Sequence, residues 1–143
     1  MNKVCIAGCI AGVFFGLAAR ADDKDLYTDI VAPIIKSKCL ECHCPEKVKG
    51  KLRMDSYALI MKGGENGKDI VPGEPKKSRW YKQLVLPKSD DDHMPPVKKE
   101  QTTPAENAVF RWWIEKGAPE HMKLSEAGAV PEDAKPAIDG AAK

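Results

Sequence analysis

Aromatic residues are scarce in this sequence, at 6% of 143 residues. Side chains alone would then give a thin core for a domain of this size, and a large buried cofactor would relieve the shortage. An excess of one charge sign is also missing. Lysine and arginine number 23 against 21 acidic residues, a formal net charge of +2. That argues neither for nucleic acid nor for an anionic membrane surface as a partner, and no nucleic-acid partner is expected. Regular apolar–polar alternation is absent, so no strand is expected, and no segment repeats. Long apolar runs are lacking except at the start, where Val4 to Ala19 carries no charge. Even that run is short for a membrane-spanning helix. With 43% apolar and 31% charged residues, the rest reads as one small globular domain.

The basic start "MNK", the uncharged run and the small residues Ala19 and Ala21 together read as a secretory signal peptide over residues 1–21. The expected location is periplasmic or otherwise exported, with an uncleaved N-terminal anchor as the alternative. Lys3 and Arg20 would leave with this segment, and the remainder is formally neutral. Cys5 and Cys9 would leave too. Of the five cysteines, that keeps Cys39, Cys42 and Cys44. An exported protein built on disulfides would pair its cysteines and spread them out. An odd set crowded together points to chemistry instead.

Leu26, Ile30, Val31, Ile34 and Ile35 share one helical face, which predicts a helix over Leu26–Lys38. Thr28 is its expected cap and Pro33 its start or its kink. The helix would deliver Cys39 at its end. "PEKVKGKLRM" reads as a polar loop. "DSYALIMKGG" reads as a short helix capped by Asp55 or Ser56 and stopped by Gly63 and Gly64. "GGENGKDIVPGEP" is a surface loop with tight turns. A helix over Arg79–Leu86 follows, with Ser78 as cap and Trp80, Tyr81, Leu84 and Val85 on one face. "PKSDDDHMPPVKKEQ" is irregular. The clearest helix is Pro104–Lys116. Thr103 caps it, Pro104 takes the first turn and Glu106 completes a capping box. Ala105, Ala108, Val109, Trp112, Trp113 and the stem of Lys116 line one side, and Gly117 closes it. Residues 123–143 are expected to be a low-complexity, disordered tail, leaving 22–122 as the domain. The expected class is all-α, about four short helices joined by long loops.

"CLECH", at residues 39–43, is the informative motif. Two thiols three residues apart can each form a thioether with one vinyl group of a haem, and His43 then falls under the iron as an axial ligand. Three other chemistries fit the same letters. Zinc would need Cys39 and Cys42 with two of Cys44, His93 and His121. A dithiol redox pair would need a strand before the motif. A local disulfide beside an idle histidine is the plainest reading.

A haem used for electron transfer takes a sixth ligand, and His–Met ligation raises its potential. Met94 lies in "DDHMPP", where two prolines keep the backbone extended and stiff. Met54 and Met61 fall in or beside a short helix and read as core. Met122 follows the last helix. His93 is the rival ligand, and His121 reads as a surface residue. Cys44 has no place in this chemistry. Asp90 to Asp92, Lys76–Lys77 and Lys98–Lys99 read as solvated surface that would also suit guiding a partner to a haem edge.

The sequence resembles the small c-type cytochrome domains of planctomycetes, over roughly Leu26 to Glu120. The resemblance rests on "CLECH", on "GKLRMDSYALIMKGGENGKDIVPGEPKKSRW", on "HMPP" and on "AENAVFRWWIEKGAP". Cys44 departs from the small residue usual at that position. The resemblance implies a class I-like cytochrome c fold around one covalent haem c. It implies that Cys39 and Cys42 bind the haem, that His43 is the proximal ligand and that Met94 is the distal one. The expected function is single-electron transfer between other redox proteins by transient docking. The protein would be a monomer with no small-molecule substrate and no enzymatic turnover, and the haem-free chain would be poorly folded. The alternatives are a haem peroxidase or gas sensor with a labile Met94, and a zinc-stabilised interaction module.

Overall fold

The computed structural model describes residues 23–140. The signal peptide expected over residues 1–21, with Cys5 and Cys9, lies outside them. The first helix is capped by Asp25 rather than Thr28. One Asp25 carboxylate oxygen accepts the N–H groups of Tyr27 and Thr28, both at 3.0 Å. A charged acceptor there also complements the helix dipole. Leu26–Val31 winds wide, as a π-helix, and leads into α1, Ala32–Lys38. Pro33 lies in the first turn of α1. In a continuous α-helix its ring would meet the carbonyl one turn back, and the wide winding falls there. The five apolar residues expected on the inner face are all buried.

Asp25 also binds the far end of the domain. Its second oxygen accepts the Met122 N–H at 3.1 Å, and Leu26 N–H donates to the Met122 carbonyl at 2.8 Å. Burial pushes the Asp25 carboxyl up, but bonds from Thr28, Met122 and Tyr27 together hold it below the usual carboxylate value. A carboxyl depressed in the folded state contributes stability above its unfolded value of 3.8. That contribution is lost as pH falls from there through the lower folded-state value. Asp25→Ala is expected to cost about 2 kcal/mol at neutral pH. In urea denaturation the gap from the parent protein should shrink as pH drops below about 4.

Where the sequence suggested only a polar loop, a small antiparallel hairpin forms. Strands β1 (His43–Cys44) and β2 (Lys47–Val48) pair His43 with Val48 and Cys44 with Lys47. A 3-10 turn, Lys49–Lys51, follows. Strands of two residues have no period to read. The class is therefore helix-rich with a two-stranded sheet, not purely α. Helix α2 (Tyr57–Lys62) is capped by the Ser56 hydroxyl and ends at Gly63, φ 82°. A Cβ on Gly63 would stand 2.0 Å from the Gly67 carbonyl, and one on Gly64 would stand 2.6 Å from that of Gly50. The turn accepts only glycine at both.

Helix α3 (Arg79–Val85) starts at Ser78, whose hydroxyl does not cap it. That hydroxyl turns inward, accepting the Val71 N–H at 2.9 Å and donating to the Glu74 carbonyl at 3.0 Å. The preceding loop is not all surface, because Asp69 and Ile70 are buried. On α3, Trp80 and Leu84 are buried, while Val85 faces out at 50% exposure.

Helix α4 (Pro104–Glu115) carries the expected capping box, with Glu106 N–H to Thr103 Oγ1 at 3.1 Å and Thr103 N–H to Glu106 Oε2 at 2.7 Å. Phe110 and Ile114, off the expected stripe, are fully buried. Leu26–Val31, α3 and α5 (Lys135–Gly140) all pack on α4, so its apolar surface exceeds one face. The disordered tail expected from residue 123 is thus replaced by a packed segment as far as residue 140. Ala127, Ala134 and Ile138 are buried, and Arg111 holds Asp133 at 3.0 Å. Small alanines allow close approach while adding little hydropathy, which is why composition suggested a loose tail.

The scarce aromatics are concentrated. Tyr27 stacks on Trp113 at 5.5 Å and meets Tyr57 edge-on at 5.2 Å. Trp80 packs on Phe110 at 4.9 Å and on Trp113 at 6.2 Å. Trp113 Nε1 donates to the Pro119 carbonyl at 2.9 Å.

Candidate functional site

The chain turns tightly as α1 ends. Cys39 N–H closes on the Ile35 carbonyl at 2.9 Å, and the N–H groups of Cys42 and His43 both reach the Cys39 carbonyl at 3.1 Å. Cys39, Cys42 and Cys44 are free thiols. Cys39 is buried, and that burial, with smaller contributions from Glu106 and Cys42, pushes its thiol up to about 12. A reactive redox thiol needs the opposite shift, and a helix rather than a strand precedes the motif. The dithiol redox reading therefore lacks the strand it would need. Among the described residues no three of His, Cys, Asp and Glu gather as a metal ion would require, so the zinc reading has no assembled site.

His43 sits on β1, and its ring Nδ1 lies 3.1 Å from the Leu52 carbonyl. A carbonyl only accepts, so Nδ1 is the donor and Nε2 is the nitrogen left to face a metal. A metal-binding histidine is oriented by its second nitrogen in this way. The His43 carbonyl in turn accepts the Met54 N–H at 2.8 Å.

Cys39, Cys42, His43 and Met94 line one cavity of about 500 Å³, within the range of roughly 300–1,000 Å³ usual for ligand sites. Leu52, Trp80, Leu84 and Pro95 give it apolar walls. Met54 lines it too and is buried in the core. Met94 arrives from the separate proline loop, its N–H donating to the Gln83 carbonyl at 3.0 Å.

The adjacent His93 does not line this cavity. It is buried, with Nδ1 2.8 Å from the Leu86 carbonyl and Nε2 2.7 Å from Gln101 Oε1. Both nitrogens are engaged, so the rival ligand is tied elsewhere. His121 is exposed. Cys44 is half-buried and outside the cavity lining. Its thiol hydrogen-bonds the Glu46 carboxylate and holds it below the usual value.

Several partners had no sequence signal. The Leu52 carbonyl is one. Arg79 is another: it lines the cavity, and its Nε donates to Asp69 at 2.8 Å. Asp69 is buried and also accepts the Gly64 N–H at 3.0 Å. At the rim, ion pairs Lys38–Glu100 and Lys99–Glu41 tie the stretch after Met94 to the thiol segment. Each pair joins residues far apart in the chain.

Residues 39–98 match the family model described as planctomycete cytochrome C. No curated protein and no solved structure matches the chain. The matched stretch begins at Cys39 and contains Cys42, His43 and Met94. The match supports a c-type cytochrome domain over that stretch, and such a domain implies a covalently held haem.

Proposed function

We propose that this c-type cytochrome domain carries one haem c and passes single electrons between other redox proteins outside the cytoplasm. The observation that carries the reading is the shared cavity, with two free thiols, a sulfur and a histidine whose Nδ1 faces the Leu52 carbonyl. When bound, the haem supplies reversible one-electron chemistry. Cys39 and Cys42 fix it by thioethers. His43 offers Nε2 as the proximal ligand, held in orientation by Leu52. Met94 offers its sulfur as the distal ligand, which raises the potential. Trp80, Leu52 and Leu84 keep water from the cavity walls. Lys49 and Arg79 line the cavity as well and would supply positive charge toward the porphyrin carboxylates. A class I-like arrangement fits this reading, with the first helix ending at the thiols and α4 packed across it. The protein acts as a monomer, docks transiently and turns over no substrate.

Optical spectra of the haem-loaded protein, with and without carbon monoxide, test the reading. The parent protein should show the weak long-wavelength Met–iron band of the ferric state and ignore carbon monoxide. Met94→Ala should lose the band and bind carbon monoxide readily. Ready binding by the parent protein would favour a peroxidase or gas sensor instead.

A further inference from the structure

Gln101 is the anchor of the Met94 loop. Pro95 and Pro96 have no N–H, so this stretch cannot hold itself with a regular backbone ladder, and its carbonyls need outside donors. The Lys99 N–H reaches the Pro96 carbonyl at 2.7 Å, and the two N–H groups of Gln101 are shared among the rest. The Gln101 amide nitrogen lies 3.0 Å from each of the carbonyls of Pro95, Pro96 and Lys99. Three carbonyls around the amide nitrogen fix its orientation, and Oε1 then faces His93 Nε2 at 2.7 Å. The other His93 nitrogen, Nδ1, faces the Leu86 carbonyl at the end of α3, at 2.8 Å; both neighbours are acceptors, and a neutral imidazole donates to only one of them. The backbone before Met94 is held by the His93 N–H on the Asp90 carbonyl at 3.0 Å, the backbone after it through Gln101, and Met94 itself through Gln83. A glutamate at 101 could not donate, and an aliphatic residue could do neither.

We propose that Gln101, acting through the carbonyls of Pro95 and Pro96, is a positioning residue that keeps the Met94 sulfur in the cavity and so sets how firmly the sixth position is closed. The proposal rests on Met94 being the distal ligand. It assigns the closure to a clamp behind the loop, not to Met94 alone.

Imidazole is the probe. Its affinity for the ferric, haem-loaded protein is measured in the parent and in Gln101→Ala, Gln101→Met and Val97→Ala, with the Met–iron band and the circular dichroism recorded for each. Val97 is 55% exposed on the same loop and serves as the control. Gln101→Ala should keep its haem and helix content, weaken the band and bind imidazole about tenfold more tightly. Gln101→Met keeps the length without the hydrogen bonds and should behave alike. Val97→Ala should match the parent protein. If both Gln101 variants bind imidazole as the parent does while the parent keeps its band, the positioning role is wrong and Met94 ligation stands. If both lose haem or helix content together, Gln101 is a general structural support and the proposal fails. A parent protein without the band overturns Met94 ligation and the clamp with it.

Discussion

Replacing both Cys39 and Cys42 by serine is expected to leave essentially no haem on the polypeptide after denaturing extraction, whereas the parent protein keeps its own. A thioether needs a sulfur nucleophile at each of the two positions, and a serine hydroxyl does not substitute for a thiol. The substitution is nearly isosteric, and the turn is built from backbone bonds of Cys39, Cys42 and His43. The cavity should therefore persist, and some haem should bind reversibly through His43. Cys44→Ser is the contrast. Cys44 lies outside the cavity lining, so its replacement should leave covalent haem unchanged. Loss of attachment in Cys44→Ser, or its persistence in the double variant, would mean that the thiols have been assigned wrongly.

Trp113→Ala carries the largest expected effect on stability. Trp113 is fully buried at the centre of the aromatic cluster. It stacks on Tyr27, meets Trp80 edge-on and donates to the Pro119 carbonyl. Removing a buried tryptophan costs about 3–5 kcal/mol, a large share of a total stability of roughly 5–15 kcal/mol. Trp113→Phe keeps most of the ring contact and loses the N–H bond, so about 1–2 kcal/mol is expected. Urea unfolding of the haem-loaded protein would measure both. A cost below about 1 kcal/mol for Trp113→Ala would mean that the fold is held elsewhere.

Local signals were the readable ones. The helix over Leu26–Lys38 could be read because five apolar residues repeat at helical spacing. Thr103, Pro104 and Glu106 announced α4 because a capping box is complete within four residues. The haem motif is equally compact. What the sequence concealed depends on partners far along the chain. Asp25 displaces Thr28 as cap while also binding Met122. Phe110 and Ile114 are buried because Leu26–Val31, α3 and α5 all pack on α4, and alanine-rich sequence gave no hint of the return of α5. His93 is the rival to its neighbour Met94 as a ligand. They are separated only by where their partners lie, Leu86 and Gln101 for one and the cavity for the other. The sparse aromatics suggested a thin core because composition cannot show that Tyr27, Trp80, Phe110 and Trp113 meet at one point.

The most direct test is the intact mass and visible spectrum of the protein under denaturing conditions, after expression with a cytochrome c maturation system. The account predicts a polypeptide carrying the mass of one haem, with the reduced bands of a haem bound through two thioethers. A haem-free polypeptide, or haem that separates from the chain on denaturation, would contradict the reading of Cys39, Cys42 and His43 on which the account rests.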